Sequence, residues 1–290
     1  MLTPENEPAP SQPDVIGVDV QTVPEAIGLA APADAGHAGS IAPWWHTALL
    51  IAAILGLSLA GTTGLTSQRH GSNRLITYGA TAGMETLMLA WVALGLWLRK
   101  IPFRSLFGSL ERGVKGLLLD MVIGFAFWIV SMMILGSVGI AWTLAEYAAA
   151  HHNTLPHAGQ HIEPSPSQKE TARTLAQLAP SNGGEIACWV LLCCIAGFVE
   201  EAVFRGYLQR QFTAWAHGGV IAGVVLSALM FGAAHGYQGV RNMVMLAVFG
   251  VLFSLLALFR KSLRAGIFAH GGHDLLAGLA LMYLRAHHVV

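Results

Sequence analysis

Residues 184–206 have the sequence GEIACWVLLCCIAGFVEEAVFRG, in which a long apolar run ends in Glu200, Glu201 and Arg205. About 20 helical residues are needed to cross the hydrocarbon core of a bilayer. The apolar residues are continuous and do not alternate with polar ones, which favours a helix over a strand of a membrane barrel. This segment therefore predicts a transmembrane helix that carries charged groups near one end.

Six further apolar runs lie on either side of this segment. They occupy 44–66, 75–98, 117–143, 219–236, 242–259 and 264–284. Of the 290 residues, 54% are apolar and only 11% are charged, whereas soluble domains average about 25% charged residues. We expect an all-α fold, a polytopic transmembrane helix bundle of about seven spans. A soluble globule, a coiled coil and a secreted disulfide scaffold are excluded.

The runs divide the chain into four regions. We expect a disordered, acidic and Pro-rich tail at 1–43, transmembrane helices 1–3 within 44–143, an extracytoplasmic loop at 144–183, and transmembrane helices 4–7 within 184–284. The loop holds four histidines between 151 and 161. A histidine cluster can bind a metal ion, but we interpret this one as part of a solvated loop.

The Lys and Arg residues are unevenly distributed between the two sides of the predicted bundle. Ten of the 16 lie on the side of the connections between helices 2 and 3, 4 and 5, and 6 and 7. The positive-inside rule assigns that side to the cytoplasm. We therefore expect an integral protein of a bacterial inner membrane with a cytoplasmic N-terminus. It would contact lipid but no nucleic acid, since 16 acidic residues cancel the 16 basic ones.

Ionisable side chains within the spans are the exceptions that indicate function, because each costs about 3 kcal/mol or more in lipid. The predicted spans contain Glu85, Asp120, Glu200, Glu201, Arg205, His235, His270, His273 and Asp274. Most of them follow residue 184, so we expect the functional site in the C-terminal part. The sequence assigns no role to Glu85 and Asp120.

The first motif is Glu200-Glu201-Ala-Val-Phe-Arg205. Residues four apart are neighbours on a helix, so Glu201 and Arg205 are expected to form a buried ion pair. Glu200 points about 100° away from Glu201 and is left to face a cavity. The alternative is a pair of carboxylates at a helix end that share one arginine in the headgroup region.

The second motif is Phe231-Gly-Ala-Ala-His235. The residues at 216–219 predict a turn midway between Glu200 and His235, so a helical hairpin would bring these two side chains to the same depth. A lone histidine on an apolar helix is, however, more often a core residue than a catalyst.

The third motif is His270-Gly-Gly-His273-Asp274. His270 and Asp274 share one helix face, and His273 is a spare candidate beside them. In a strict up-and-down ladder His270 would lie more than about 10 Å from the depth of His235. A re-entrant connection at 235–239 would remove this mismatch, since irregular backbone is tolerated where it lines a cavity. The alternative is a polar clamp between helices.

The three motifs in this order resemble the CPBP family of intramembrane proteases, also called the CAAX-prenyl-protease and bacteriocin-processing or Abi family. Its pattern is EExxxR, then FxxxH, then HxxxN or HxxxD. The resemblance covers about 184–284 and leaves the first three helices uncovered. It implies an α-helical membrane fold and hydrolysis of a peptide bond in a membrane-associated or lipidated protein.

The resemblance also implies roles for individual residues. Glu200 and His235 would activate water, and His270 and Asp274 would stabilise the oxyanion. The residues that would support the site are Glu201, Arg205 and Phe231. This chain departs from the family at one position, since many members have Asn where it has Asp274. An ionised aspartate cannot donate a hydrogen bond to an oxyanion, so Asp274 would act protonated or through His270.

Two catalytic types remain open at this point. Water activated by a carboxylate and an imidazole needs no ion, and we favour this glutamate-type mechanism, with no cofactor. Alternatively, Glu200, His235 and His270 form a sufficient ligand set for Zn²⁺, with water as the fourth ligand.

Two further classes of function compete with a protease. A non-enzymatic immunity or scaffold protein on the same fold would not need Glu200 or His235. A proton-coupled transporter would give roles to Glu85 and Asp120, but it should show internal repeats, which the sequence does not clearly contain.

Overall fold

The computed structural model describes residues 39–67, 73–108, 113–152, 154–157 and 159–287. Most of the tail predicted at 1–43 thus lies outside the described residues. The described chain forms helices and no β-sheet. The helices are α1 (Trp44–Ser67), α2 (Arg74–Leu98), α3 (Gly113–Ala150), α4 (Pro166–Leu178), α5 (Gly183–Glu200), a π-helix (Glu201–Leu208), α6 (Gln209–Trp215), α7 (Val220–Ala234), α8 (Val240–Arg260) and α9 (Arg264–Ala286), with short 3-10 turns at Phe103–Phe107 and Gly236–Gln238.

The predicted all-α membrane fold is confirmed, and each of the seven predicted apolar runs lies in helical structure. The count of seven spans is not. In the described part of the chain, five helical segments are long and apolar enough to cross a membrane: α1, α2, α3, the continuous segment Gly183–Trp215, and α8. Helix α7 is shorter, and α9 carries Arg264, Asp274 and Arg285 along its length. The protein is an integral membrane protein.

The break predicted as a loop at 144–183 contains more helix than expected. Helix α3 continues to Ala150, and α4 begins at Pro166. A capping box starts α4: the Ser165 hydroxyl accepts from the Gln168 N–H, and the Gln168 side chain accepts from the Ser165 N–H. Helix α4 was not predicted because it is polar on average, and only the capping residues Ser165 and Gln168 mark its start.

Helix α4 packs across the ends of two longer helices. The Tyr78 hydroxyl of α2 donates to the Leu178 carbonyl at 2.6 Å. From α9, the Arg285 guanidinium donates to the carbonyls of Ala176, Ala179 and Pro180. These bonds satisfy carbonyls at the C-terminus of α4, which otherwise lack helical partners, and tie the segment to the bundle.

Small residues let the helices that carry the motifs approach closely. A Cβ on Gly197 of α5 would lie 2.7 Å from the Gly271 nitrogen of α9. A Cβ on Gly232 of α7 would lie 2.4 Å from the Met243 carbonyl oxygen of α8. At both contacts the backbones of the two helices touch, so the helices that carry the motifs lie closer together than side chains would allow.

Helix α7 ends within the bundle. Its 15 residues span only about 22 Å, less than the hydrocarbon thickness of about 30 Å. The 3-10 turn Gly236–Gln238 follows, and α1 supports it: the Ser58 hydroxyl donates to the Ala233 carbonyl at 2.7 Å and accepts from the Gly236 N–H at 3.0 Å. This arrangement supports the predicted re-entrant connection at 235–239, because the irregular backbone at 235–238 is half-buried and packs against α1.

A charge cluster fixes α3 to the turn between α8 and α9. Asp120 is fully buried and lies 2.6 Å from both Arg260 and Arg264. We call these three residues the clamp cluster. No role was assigned to Asp120 from the sequence. In the structure it links α3 to α8 and α9 by ion pairs.

Candidate active site

The site begins where α5 ends at Glu200. The backbone then continues as the π-helix Glu201–Leu208, a wide helical form that is frequent at functional sites. Glu201 Oε1 lies 3.1 Å from Arg205 Nη1, and each side chain is only 1% exposed. The structure thus contains the ion pair expected from the four-residue spacing. The π-helix itself was not predicted, and no sequence signal that we recognise marks it.

Arg205 is held in place by aromatic and backbone groups of the neighbouring helices. Its guanidinium carbon lies 4.3 Å from the ring centre of Phe231 and 5.2 Å from that of Phe253. Its Nη2 donates to the Gly250 carbonyl at 3.5 Å. The Phe231 ring also packs edge-on against His270, with centres 5.8 Å apart. Phe231 thus contacts both Arg205 of the first motif and His270 of the third.

His270 lies between three carboxylates. Its Nδ1 is 3.0 Å from Glu201 Oε1, while its Nε2 is 3.6 Å from Glu200 Oε2 and 3.8 Å from Asp274 Oδ2. We call Glu200, Glu201, Arg205, His270 and Asp274 the reactive cluster. The first and third motifs therefore meet directly, and the depth mismatch expected from a regular ladder does not separate them.

His235 lies next to this cluster and contacts it through Phe231. Its ring centre is 5.0 Å from the ring centre of Phe231, and its Nδ1 is 2.9 Å from the Phe231 carbonyl oxygen. Among the described residues, no ion pair joins His235 to Glu200. Because a carbonyl only accepts, Nδ1 carries the hydrogen, and Nε2 of the neutral ring is left as an acceptor.

The predicted hairpin turn is present at Ala216–Gly219, where His217 and Gly218 have φ angles of +52° and +92°.

The spare candidate His273 points toward α3 instead. Its Nδ1 accepts a hydrogen bond of 3.4 Å from the Trp128 indole, and its ring centre is 5.2 Å from that of Phe249. It therefore packs between α3 and α8, and we assign it no chemical role.

Two residues at the site were not predicted as members of it. Glu85 of α2 is only 7% exposed, and it interacts electrostatically with Glu200, His270 and Asp274. The Tyr237 hydroxyl accepts from the Gln238 side chain at 3.0 Å and interacts with Glu200 and Asp274 as well. For Glu85 a signal existed, namely a carboxylate inside a span; Tyr237 carried none.

The side chains present do not form a metal-binding set. No group of three or more His, Cys, Asp or Glu residues is arranged to hold an ion in the described ranges. Glu200, His235 and His270, the ligands expected for Zn²⁺, are included in that statement. We therefore derive no chemical step through a metal.

The histidines of the loop at 151–161 form no such set either, among the residues described there. His151 stacks on Tyr147, with ring centres 4.0 Å apart, and His161 lies 3.4 Å from Glu163 at the exposed surface. Lys169 donates a 2.9 Å hydrogen bond to Glu163, which lowers the pKa of that carboxyl. These contacts fit the predicted solvated surface.

Comparison with known families gives one match. Residues 182–276 match the family described as Type II CAAX prenyl endopeptidase Rce1-like. Neither a curated protein nor a solved structure matches the chain. The matched residues contain all three motifs, so the resemblance predicted from them is confirmed for the segment 182–276.

Proposed function

We propose that this protein is an intramembrane endopeptidase that hydrolyses a peptide bond of a membrane-associated or lipidated substrate with water activated by Glu200 and His235. The reactive cluster is the observation that carries this proposal. It places the carboxylates of Glu200 and Asp274 each within 4 Å of the His270 imidazole inside an apolar bundle. The family match over residues 182–276 supports peptide-bond hydrolysis as the reaction.

Glu200 is the best candidate for the general base. It closes α5 beside the π-helix, its side chain is 12% exposed, and its Oε2 has no hydrogen-bond partner in the described part of the chain. An acceptor that the protein leaves unpaired is suited to bind water. His235 adds a second acceptor through Nε2. Glu200 would take the proton as the water oxygen attacks the carbonyl carbon.

His270 is suited to stabilise the resulting oxyanion. Both ring nitrogens face carboxylate oxygens, and only the protonated ring donates from both. Nδ1–H would be held by Glu201, which leaves Nε2–H to donate to the developing negative charge. Asp274 would act through His270 by orienting and charge-balancing the ring. This assignment removes the difficulty that an ionised aspartate has no proton to donate.

Bond cleavage then completes the reaction. The tetrahedral intermediate would collapse with loss of the C–N bond, and Glu200 would return its proton to the leaving amine nitrogen. Glu201 and Arg205 would stay paired throughout and hold the π-helix in register with α9. The products are a carboxylic acid and an amine, with one water consumed.

The proposal is tested with purified protein in lipid nanodiscs and an internally quenched peptide that ends in a farnesylated CAAX sequence. We expect cleavage by the wild type and none by Glu200→Gln, with the product masses identifying the bond. In parallel, membrane proteomes of cells carrying wild type or Glu200→Ala would be compared. An uncleaved peptide together with identical proteomes would overturn the endopeptidase proposal.

A further inference from the structure

Glu85 is a buried carboxylate that the proposed mechanism does not use. It lies in the middle of α2, outside the segment that matches the family, and α2 packs against α5. It is 7% exposed, and its Oε2 has no hydrogen-bond partner among the described residues. A carboxylate that merely stabilised the fold would be expected to have a partner, because an unpaired buried charge is strongly destabilising.

The groups that face Glu85 come from three other elements. Glu200 interacts with it from α5, and His270 and Asp274 interact with it from α9. The Tyr237 hydroxyl does so from the turn after α7. Glu85 also shares the buried face of α2 with Tyr78, one heptad away, whose ring centre lies 5.4 Å from that of Trp189 in α5. Glu85 therefore faces α5 and not the lipid.

The cations of the site already have carboxylate neighbours. Arg205 and His270 Nδ1 both contact Glu201, and His270 Nε2 lies near Glu200 and Asp274. No ion pair to Glu85 is present in the part of the chain that the structure describes. Ionisation of Glu85 would add a further negative charge to a buried site in which carboxylates already outnumber cations. A neutral, protonated Glu85 would avoid that cost.

We propose that Glu85 is a positioning residue of the active site, whose neutral carboxyl orients Glu200 toward the attacking water through a bridging water molecule. Neither Glu85 Oε2 nor Glu200 Oε2 has a direct hydrogen-bond partner among the described residues, so both oxygens are open to such a water. This inference rests on the proposed function. It extends the site onto α2, a helix on which none of the three motifs lies. A hydrogen bond to a charged acceptor is among the stronger ones in proteins, so its loss should be visible in kcat.

Two substitutions separate this role from a structural one. Glu85→Gln keeps the shape and a neutral donor, whereas Glu85→Leu removes the donor and places an apolar side chain in an apolar bundle. We expect Glu85→Gln to lower kcat for the farnesylated peptide by no more than about 3-fold, and Glu85→Leu by about 10-fold to 100-fold, with KM little changed. Glu85→Leu should unfold at the same or a higher temperature, because it removes an unpaired buried polar group.

Tyr78→Phe is the matched control on the same helix. Tyr78 is 4% exposed and its hydroxyl bonds to Leu178, away from the reactive cluster, so this variant should lose stability but keep kcat. Wild-type activity in Glu85→Leu, equal losses in Glu85→Leu and Glu85→Gln, or a parallel loss of stability and kcat in Glu85→Leu would each overturn the inference. Glu200→Gln is measured in the same series: if it retains activity, the proposed function fails instead.

Discussion

The two buried charge clusters of this bundle have opposite charge balances. In the clamp cluster one carboxylate meets two arginines, each at 2.6 Å. In the reactive cluster three carboxylates surround one arginine and one histidine, at distances of 3.0–3.8 Å. The clamp cluster has short contacts and a cation surplus, as a structural link requires. The reactive cluster has a carboxylate surplus and unpaired acceptors, and such groups are available to bind water and exchange protons.

The largest expected difference between the clusters is in activity. Glu200→Gln should lower kcat by about 1,000-fold, because it removes the general base while preserving shape. Asp120→Asn, in the clamp cluster, should leave kcat within about 3-fold of wild type, since it lies away from the proposed chemistry. Hydrolysis of the farnesylated peptide measures both. Comparable losses of kcat in the two variants would show that the two clusters do not differ in their importance for catalysis.

The next difference is in stability. Glu201→Gln leaves Arg205 buried without its carboxylate, and we expect the free energy of unfolding to fall by about 3–5 kcal/mol. Asp120→Asn should cost less, because the side chains of Arg260 and Arg264 are 11% and 14% exposed and are partly solvated once unpaired. Unfolding in mixed detergent micelles, followed by circular dichroism, compares the two variants. A larger loss for Asp120→Asn would show that the clamp cluster is the more deeply buried one in practice.

A smaller effect tests the helix contact that assembles the reactive cluster. Gly197→Ala would bring a methyl group within 2.7 Å of the Gly271 nitrogen and push α5 away from α9. We expect a loss of about 1–3 kcal/mol in stability and a clear fall in kcat. Gly272→Ala is the matched control, since a Cβ there meets nothing within 4 Å, and it should be neutral or slightly stabilising. Unchanged kcat in Gly197→Ala would mean that the close approach is not needed for activity.

The smallest expected effect is that of metal removal. Because the reaction is derived from side chains alone, prolonged treatment with 1,10-phenanthroline followed by desalting should leave hydrolysis unchanged. Elemental analysis of the active protein checks the same point. Stoichiometric zinc whose removal abolishes activity would establish the metal-dependent alternative.

The sequence predicted the helices well because membrane-spanning runs are defined by length and apolarity alone. All seven runs lie in helical structure, and α7, α8 and α9 begin and end within two residues of the predicted bounds. It predicted α4 poorly, because a short polar helix depends on its cap and on contacts from α2 and α9. The count of seven spans stays a prediction, since five helical segments of the described chain are long and apolar enough to cross a membrane and α7 is shorter.

The structure brings Glu200, Glu201, Arg205, His270 and Asp274 together, but their arrangement was not predicted from the sequence. Local spacing was enough for the pair Glu201–Arg205. The contact of Glu200 with His270 depends on the close approach of α5 and α9 through Gly197, which sequence spacing does not encode. Glu85 was recognised as anomalous, but only the tertiary structure brings it toward the reactive cluster. In the sequence, Asp120 and Glu85 were equally consistent with a proton-coupled transporter. In the structure, Asp120 is paired with two arginines of the clamp cluster.

A double-mutant cycle on Glu200→Gln and His270→Asn tests most directly whether these two residues form one site. If Glu200 and His270 act as one unit, each single variant loses most of the activity, and the double variant loses little more than the worse single variant. We expect kcat/KM of the double variant to lie within about 10-fold of the value for the less active single variant. Losses that multiply would contradict a common site and place the two residues in separate roles.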